Sequence, residues 1–170
     1  LLHGFYAKHI TPDGSKRNHV FVNNESWFSI DGSADGSVWA FTGNVVRIMD
    51  NVPAGENYRI SGEGSNMITL EPGVYVGRYP RVVRVSPDGN RIAVGTSDGT
   101  FALLDREGTI LWEQHNGASY VTDILFLPGG DGVAFARDVF DYQHDNYREA
   151  NHRKGWRYRD VVEAYTLDGD

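Results

Sequence analysis

The stretch 139–160, VFDYQHDNYREANHRKGWRYRD, gathers side chains that bind: His144 and His152, the arginines Arg148, Arg153, Arg157 and Arg159, and Lys154 beside Trp156. Guanidinium forks grip carboxylates and phosphates in a bidentate way, and arginine next to tryptophan is a pairing that anchors protein interfaces. Arg148, Arg153, Trp156, Arg157 and Arg159 are therefore the candidate contacts for a protein partner or an anionic ligand. A metal reading uses Asp141, His144, Asp145 and His152, whose imidazole and carboxylate groups suit zinc or a harder divalent ion. Spacing works against it, because His144 and His152 lie eight residues apart, two helical turns rather than the adjacent-turn pair of a zinc-binding helix. The plainer alternative is a solvated loop with a short helix over 146–153, packed across a sheet edge.

Other chemistry is thin. The chain has no cysteine, which removes disulfides, thiolate metal sites, covalent haem attachment and thiol nucleophiles. A net charge of -7 over 170 residues opposes a general phosphate-backbone binder, so nucleic acid is a poor partner. Nucleophile elbow, P-loop and dinucleotide fingerprints are all missing. Asp98, Asp105 and Asp168 sit in turns, where aspartate commonly hydrogen-bonds its own backbone. Asn24-Glu25-Ser26 fits a glycosylation sequon, relevant only outside the cytoplasm. No apolar run reaches the length of a membrane span, and the chain reads as soluble, its compartment open and an extracytoplasmic one included.

The elements that must carry the 139–160 stretch are short strands. Ser86-Pro87-Asp88-Gly89 supplies a turn between Val83, Val85 and Ile92, Val94, which alternate with polar or small residues as half-buried strands do. Thr96-Ser97-Asp98-Gly99 and Asp105-Arg106-Glu107-Gly108 are further turns, giving four antiparallel strands between 81 and 115. The order recurs: Pro128-Gly129-Gly130 follows a run from Val121, and Gly89 and Gly130 lie 41 residues apart, within the range of four-stranded repeat units. Ser33-Ala34-Asp35-Gly36 precedes Ser37-Val38-Trp39 in the same way, 53 residues before Gly89, so one unit carries an insertion. Gly14 in TPDG and Gly36 are 22 residues apart, as are Gly108 and Gly130. TPDG therefore corresponds to DREG, the turn between third and fourth strands.

SPDGNRIAV followed by LLDREGTILWE resembles the repeats of WD40-like and PQQ-like β-propellers. No unit ends in a Trp-Asp pair, and LLDREGTILW only approximates the PQQ-like pattern. The fold class expected is all-β, with four-stranded antiparallel blades forming an incomplete ring. The expected division is a single propeller segment, 1–170. Residues 1–22 form the third and fourth strands of a first blade, and 27–80 a second blade with an insertion. Residues 81–118 form a third blade, and 119–170 a fourth that lacks its last strand and carries the insertion 139–160. Within the earlier insertion, 57–70 reads as a hairpin around SGEG, and 45–49 is either an extra strand or the third of its blade.

Thirteen strands make about three and a quarter blades, whereas closed propellers typically have 4–8. The missing blades are expected from a longer parent chain or from a partner copy. The function expected is a non-catalytic binding or assembly module presenting 139–160 to a protein or anionic ligand, with self-association possible. No cofactor is indicated. One alternative is part of a quinoprotein-like or sugar-acting propeller enzyme with its site in the central channel, as the resemblance implies. Another is a structural repeat of an extracellular assembly.

Overall fold

The computed structural model describes residues 4–10, 16–23, 28–50, 57–60, 67–68, 74–117, 119–140 and 158–169, with side chains described over 28–50, 74–117, 119–139 and 160–169. The described residues are all-β: fourteen strands and no helix, and none long and apolar enough to cross a membrane. Three sheets are antiparallel. The first contains β3 (Ser29–Gly32), β4 (Trp39–Thr42) and β5 (Val46–Met49). The second is the meander β8 (Pro80–Val85), β9 (Arg91–Thr96), β10 (Thr100–Asp105), β11 (Ile110–His115). The third contains β12 (Ser119–Phe126), β13 (Gly132–Phe140) and β14 (Tyr158–Thr166). A fourth, mixed sheet orders β1 (Gly4–Ile10), β2 (Lys16–Asn23), β6 (Asn57–Ile60) and β7 (Met67–Ile68).

The turns explain why these segments fold back where they do. In the β3–β4 connection the Ser33 hydroxyl donates to Asp35 (2.6 Å) and accepts from the Val38 N–H (3.0 Å), while Asp35 accepts the Ser37 N–H (2.9 Å). The β8–β9 connection repeats this with other residues. Ser86 donates to Asp88 (2.6 Å) and accepts the Arg91 N–H (2.9 Å), and Asp88 accepts the Asn90 N–H (3.1 Å). Gly36 and Gly89 close both turns at φ of 74° and 73°, a left-handed conformation that glycine adopts without steric cost. The β12–β13 turn keeps only the backbone part, Gly130 N–H to the Leu127 carbonyl and Leu127 N–H to the Gly132 carbonyl.

Strand irregularities repeat at the same spacing as the turns. β8 skips Arg81 in its pairing with β9, and β12 skips Thr122 in its pairing with β13, 41 residues on. β10 and β11 skip Leu111, while β1 and β2 skip Arg17; each lies three residues after Gly108 and Gly14 respectively. A bulge leaves one residue unpaired and tightens strand twist.

Three readings of the sequence change. First, β9 is not half-buried, and β10 beside it is buried in the same way: Ile92, Ala93, Val94, Phe101, Ala102, Leu103 and Leu104 are all fully buried. Their sheet lies between two others. Val83, Val85, Ile92, Val94, Ala102 and Leu104 pack with Val38, Ala40 and Val46 of the β3–β5 sheet. Ala93, Phe101 and Leu103 pack with Val121, Ile124, Val133 and Phe135 of the β12–β14 sheet. The small Ala93 hid the second apolar face in the pattern. Second, 57–70 holds two strands that pair in parallel, β6 to β7, with β6 also parallel to β2; a hairpin would be antiparallel, and alternation within so short a strand does not encode its direction. Third, 46–49 pairs antiparallel with β4 and is the third strand of its sheet. Val74 takes the fourth position as a bridge, exchanging two backbone hydrogen bonds with Val46 (2.9 and 2.8 Å).

Aromatic packing ties the second and third sheets. Phe101 stacks on Phe135 at 4.4 Å between centroids, and Trp112 meets Phe101, Phe135 and Tyr165 at 6.3, 6.2 and 5.7 Å. The Trp112 Nε1–H donates to the Leu167 carbonyl at 2.9 Å. Gly95 is a point of close approach between these sheets, since a Cβ there would overlap the Cγ1 of Val121. Gly95→Ala is therefore expected to destabilise the chain by about 1–3 kcal/mol, as over-packing of a filled core does. Val121→Ala in the same chain should return part of that loss in a denaturant titration.

Candidate functional site

The 139–160 insertion leaves the third sheet at the Phe140–Tyr158 pair. This end also holds the start of β12 and, on the neighbouring sheet, the 96–100 turn. Arg148, Arg153, Trp156 and Arg157, with Asp141, His144, Asp145 and His152, lie outside the described residues. Arg159 is placed only by its backbone, opposite Val139. Among the described residues no group of three His, Asp or Glu stands close enough to hold a metal ion.

What the structure does describe is the base on which the insertion stands. Arg137 on β13 forms a bidentate pair with Glu163 on β14, Nε and Nη2 donating at 2.8 and 2.9 Å, and the Asn116 amide donates to the same carboxylate at 3.0 Å. Arg137 Nη1 reaches back to the Asn116 carbonyl and the Ser119 hydroxyl, both at 3.4 Å. One arginine thus joins β13, β14 and the β11–β12 connection just where the insertion departs. The Arg137 guanidinium holds the Glu163 carboxyl below its usual range, overcoming partial burial. Directly opposite each other one pair further out are Asp138 and Asp160. Hydrogen bonding and repulsion from Asp138 push the Asp160 carboxyl up.

Next to it, Thr96, Asp98, Thr100 and His115 form a chain of polar contacts. Thr96 donates to Asp98 at 2.5 Å and accepts the Thr100 N–H at 3.0 Å, while the Thr100 hydroxyl meets His115 Nδ1 at 3.0 Å. Burial pushes the Asp98 carboxyl up, but the hydrogen bonds from Thr96, the Arg78 backbone and Thr100 outweigh it and leave it lowered. Two of the turn aspartates bond their own turns: Asp98 accepts the Thr100 N–H at 3.3 Å and Asp105 the Thr109 N–H at 2.7 Å.

A second polar set runs across the first strands of the three antiparallel sheets. Asp31 on β3 accepts the Val85 N–H of β8 at 2.8 Å, and Ser29 accepts the Val83 N–H at 3.3 Å. Arg84 on β8 pairs with Asp123 on β12 at 2.7 Å, and Arg81 lies over the Tyr120 ring at 5.7 Å. Burial raises the Asp31 carboxyl, opposed by the Val85 N–H and by the charge of Arg84. The sequence did carry a signal for this set, since Asp31 and Arg84 each stand five residues before the turn glycines Gly36 and Gly89. Opposite charges at one repeat position mark neighbours in a stack. The Arg137–Glu163 pair has no such signal because the insertion separates its members in sequence. At the far end of the sheets, a 260 Å³ cleft is lined by Asp88, Asn90, Arg91, Arg106, Glu107 and Leu167.

No protein-family model matches the chain. It is similar to the 66 kDa stress protein of Physarum polycephalum, 36% identical over 90 residues that make up 48% of this chain and 14% of that protein. It is also similar to WD repeat-containing protein 81 of Danio rerio, 33% identical over 95 residues, 52% of this chain and 4% of the other. The chain thus spans only a small part of the length of these relatives. Among solved structures, Kuenenia stuttgartiensis hydrazine synthase matches with a TM-score of 0.58 at 16% identity, over 94% of this chain and 50% of that one. A eukaryotic initiation factor structure matches at 0.50 with 11% identity, over 86% and 31%. At such identities these structures show the fold alone: an all-β, repeat-sheet arrangement consistent with an incomplete propeller.

Ionised Asp35, held at about 2 chiefly by the Ser33 hydroxyl, lowered Asp88, held by the Ser86 hydroxyl, and Glu163 all favour the folded state. Their folded values lie below the unfolded ones, so the stability they contribute is present above the ordinary carboxylate range and is lost as pH falls through the folded values. Thermal unfolding between pH 5 and 2, limits set about the ordinary carboxylate range, should show the melting temperature falling. The Asp88→Asn variant should show a shallower fall. Arg137→Ala, which leaves Glu163 without its cation, should cost about 2 kcal/mol.

Proposed function

We propose that this chain is a non-catalytic binding or assembly module in which stacked repeat sheets present the 139–160 insertion to a protein or an anionic ligand. The observation that carries the reading is the base of the insertion. Arg137, Glu163, Asn116 and Ser119 lock both of its stems to the neighbouring connection, and function commonly resides in loops held by a rigid scaffold. The similarity to a WD repeat-containing protein supports a binding module of the propeller type. Arg148, Arg153, Trp156, Arg157 and Arg159 would make the contacts, arginine for carboxylate or phosphate groups and tryptophan as the apolar anchor.

Asp31 favours a second reading, a site on the face formed by the first strands, because its carboxyl is raised by burial and perturbed carboxyls gather at functional sites. Its ties to Val85 and Arg84 give it an equally direct structural task, joining adjacent sheets.

Arg157→Glu combined with Arg159→Glu tests the binding role. With a polypeptide that co-purifies with the wild-type chain from its native host, the double variant should bind at least about tenfold more weakly, the loss of one interfacial arginine contact. Unchanged affinity in isothermal titration, with an unchanged melting temperature, would remove the insertion from the interface.

A further inference from the structure

The segment that leads into the central sheet, Tyr75-Val76-Gly77-Arg78-Tyr79-Pro80-Arg81, is bent against the preference of its residues. Tyr79 has a φ of 53°, the only positive value at a non-glycine position among the described residues. A bulky side chain there strains the backbone. The repeat shows what the same residue does without that strain. Tyr120 stands at the equivalent position, 41 residues on, and lies in β12, half-buried and paired with Asp138. A tyrosine in this place can therefore join the strand. Tyr79 is turned out of it and is 58% exposed.

The neighbouring turn holds it there. The Ser97 N–H donates to the Arg78 and Tyr79 carbonyls, both at 3.2 Å, and the Ser97 hydroxyl donates to the Arg78 carbonyl at 2.9 Å. Asp98 accepts the Arg78 N–H. Gly77, at φ 46°, comes so close to Thr100 that a Cβ would overlap its side chain. Strain survives only where the surroundings over-determine it, and it collects at sites that bind or react.

What the bend presents is a run of aromatic and cationic groups. Tyr75 is 80% exposed, and Arg78 and Arg81 are exposed as well. Arg84, Arg106 and Arg137 each meet a carboxylate; among the described residues Arg78 and Arg81 meet none. Arg81 is the residue that β8 skips in pairing with β9, and it lies over the Tyr120 ring at 5.7 Å, as a bulge re-aims a side chain. Rigid tyrosines beside arginines have the composition of binding hot spots. The surface sits at the strand ends of the central sheet, which has a neighbour on each face. Further sheets stacked on the outer faces leave these strand ends open.

We infer that Tyr75, Arg78, Tyr79 and Arg81, beside Tyr120, form a docking surface for an acidic polypeptide segment, separate from the 139–160 insertion. The two guanidinium groups would take carboxylates of that segment, and the tyrosine rings its apolar groups. A net charge of -7 opposes a nucleic-acid backbone in the same place, whereas two arginines match a pair of spaced carboxylates.

Random peptides displayed on phage and selected on the immobilised wild-type chain test this. The selected peptides should be enriched in Asp and Glu, and their binding should weaken as salt rises. Arg78→Glu combined with Arg81→Glu should bind them at least about tenfold more weakly, with an unchanged melting temperature. Arg157→Glu combined with Arg159→Glu should bind them as the wild type does, so this surface and the insertion can fail separately. Tyr79→Asn removes the ring and places a residue that tolerates the left-handed conformation. It should melt no lower than the wild type and still lose about tenfold in affinity. Selected peptides without acidic enrichment would overturn the proposal, as would equal binding by the Arg78 and Arg81 double variant, or displacement of the peptides by single-stranded DNA. A lower melting temperature for Tyr79→Asn with unchanged affinity would do the same, by assigning the ring to packing.

Discussion

The three antiparallel sheets depend on β9 and β10, the inner strands of the β8–β11 sheet, being dry on both faces. A half-wet sheet needs one apolar face; this one carries Ile92, Val94, Ala102 and Leu104 towards one neighbour and Ala93, Phe101 and Leu103 towards the other. At about 25 cal/mol per Å² of apolar surface removed from water, these seven fully buried apolar side chains are a major stabilising contribution in the described core. Both outer sheets owe their position to it. The polar pairs at its first strand, Asp31 with Val85 and Arg84 with Asp123, add register to that apolar packing.

The turns are the second constraint, and they explain how one stack is built from unlike sequences. Ser-Ala-Asp-Gly and Ser-Pro-Asp-Gly place a hydroxyl and a carboxylate in identical exchanges with the backbone, so the strands that follow begin in the same register. The third turn lacks both side chains and retains the backbone bonds alone. Its sheet is also the one with the long insertion. Rigidity at one end of the strands and variation at the other is the arrangement expected of a scaffold whose contacts sit on loops.

Much of this was legible in residue spacing. The offsets of 41 and 53 between Gly36, Gly89 and Gly130 located the equivalent turns, while TPDG at 11–14 lies outside the described residues. Other features were hidden for physical reasons. Ala93 disguised a two-sided strand as an alternating one, because alanine fits both a buried and a half-exposed position. The direction of β6 and β7 was unreadable since two-residue periodicity is the same in parallel and antiparallel strands. The approach of Asp31 and Arg84 could have been found by comparing charges at equivalent repeat positions, whereas Asp123 stands two residues out of that register. The Arg137–Glu163 pair could not, because only strand pairing brings β13 and β14 together across the insertion.

Native-state hydrogen exchange tests the doubly buried sheet most directly, because interior strands open only when the structure around them does. The account predicts that amides of β9 and β10, from Ile92 to Val94 and from Phe101 to Leu104, exchange last and at the free energy of global unfolding. Those of β14 around Val162 should exchange earlier through local opening. If β9 and β10 exchange as fast as β14, the central sheet is not what holds the chain together.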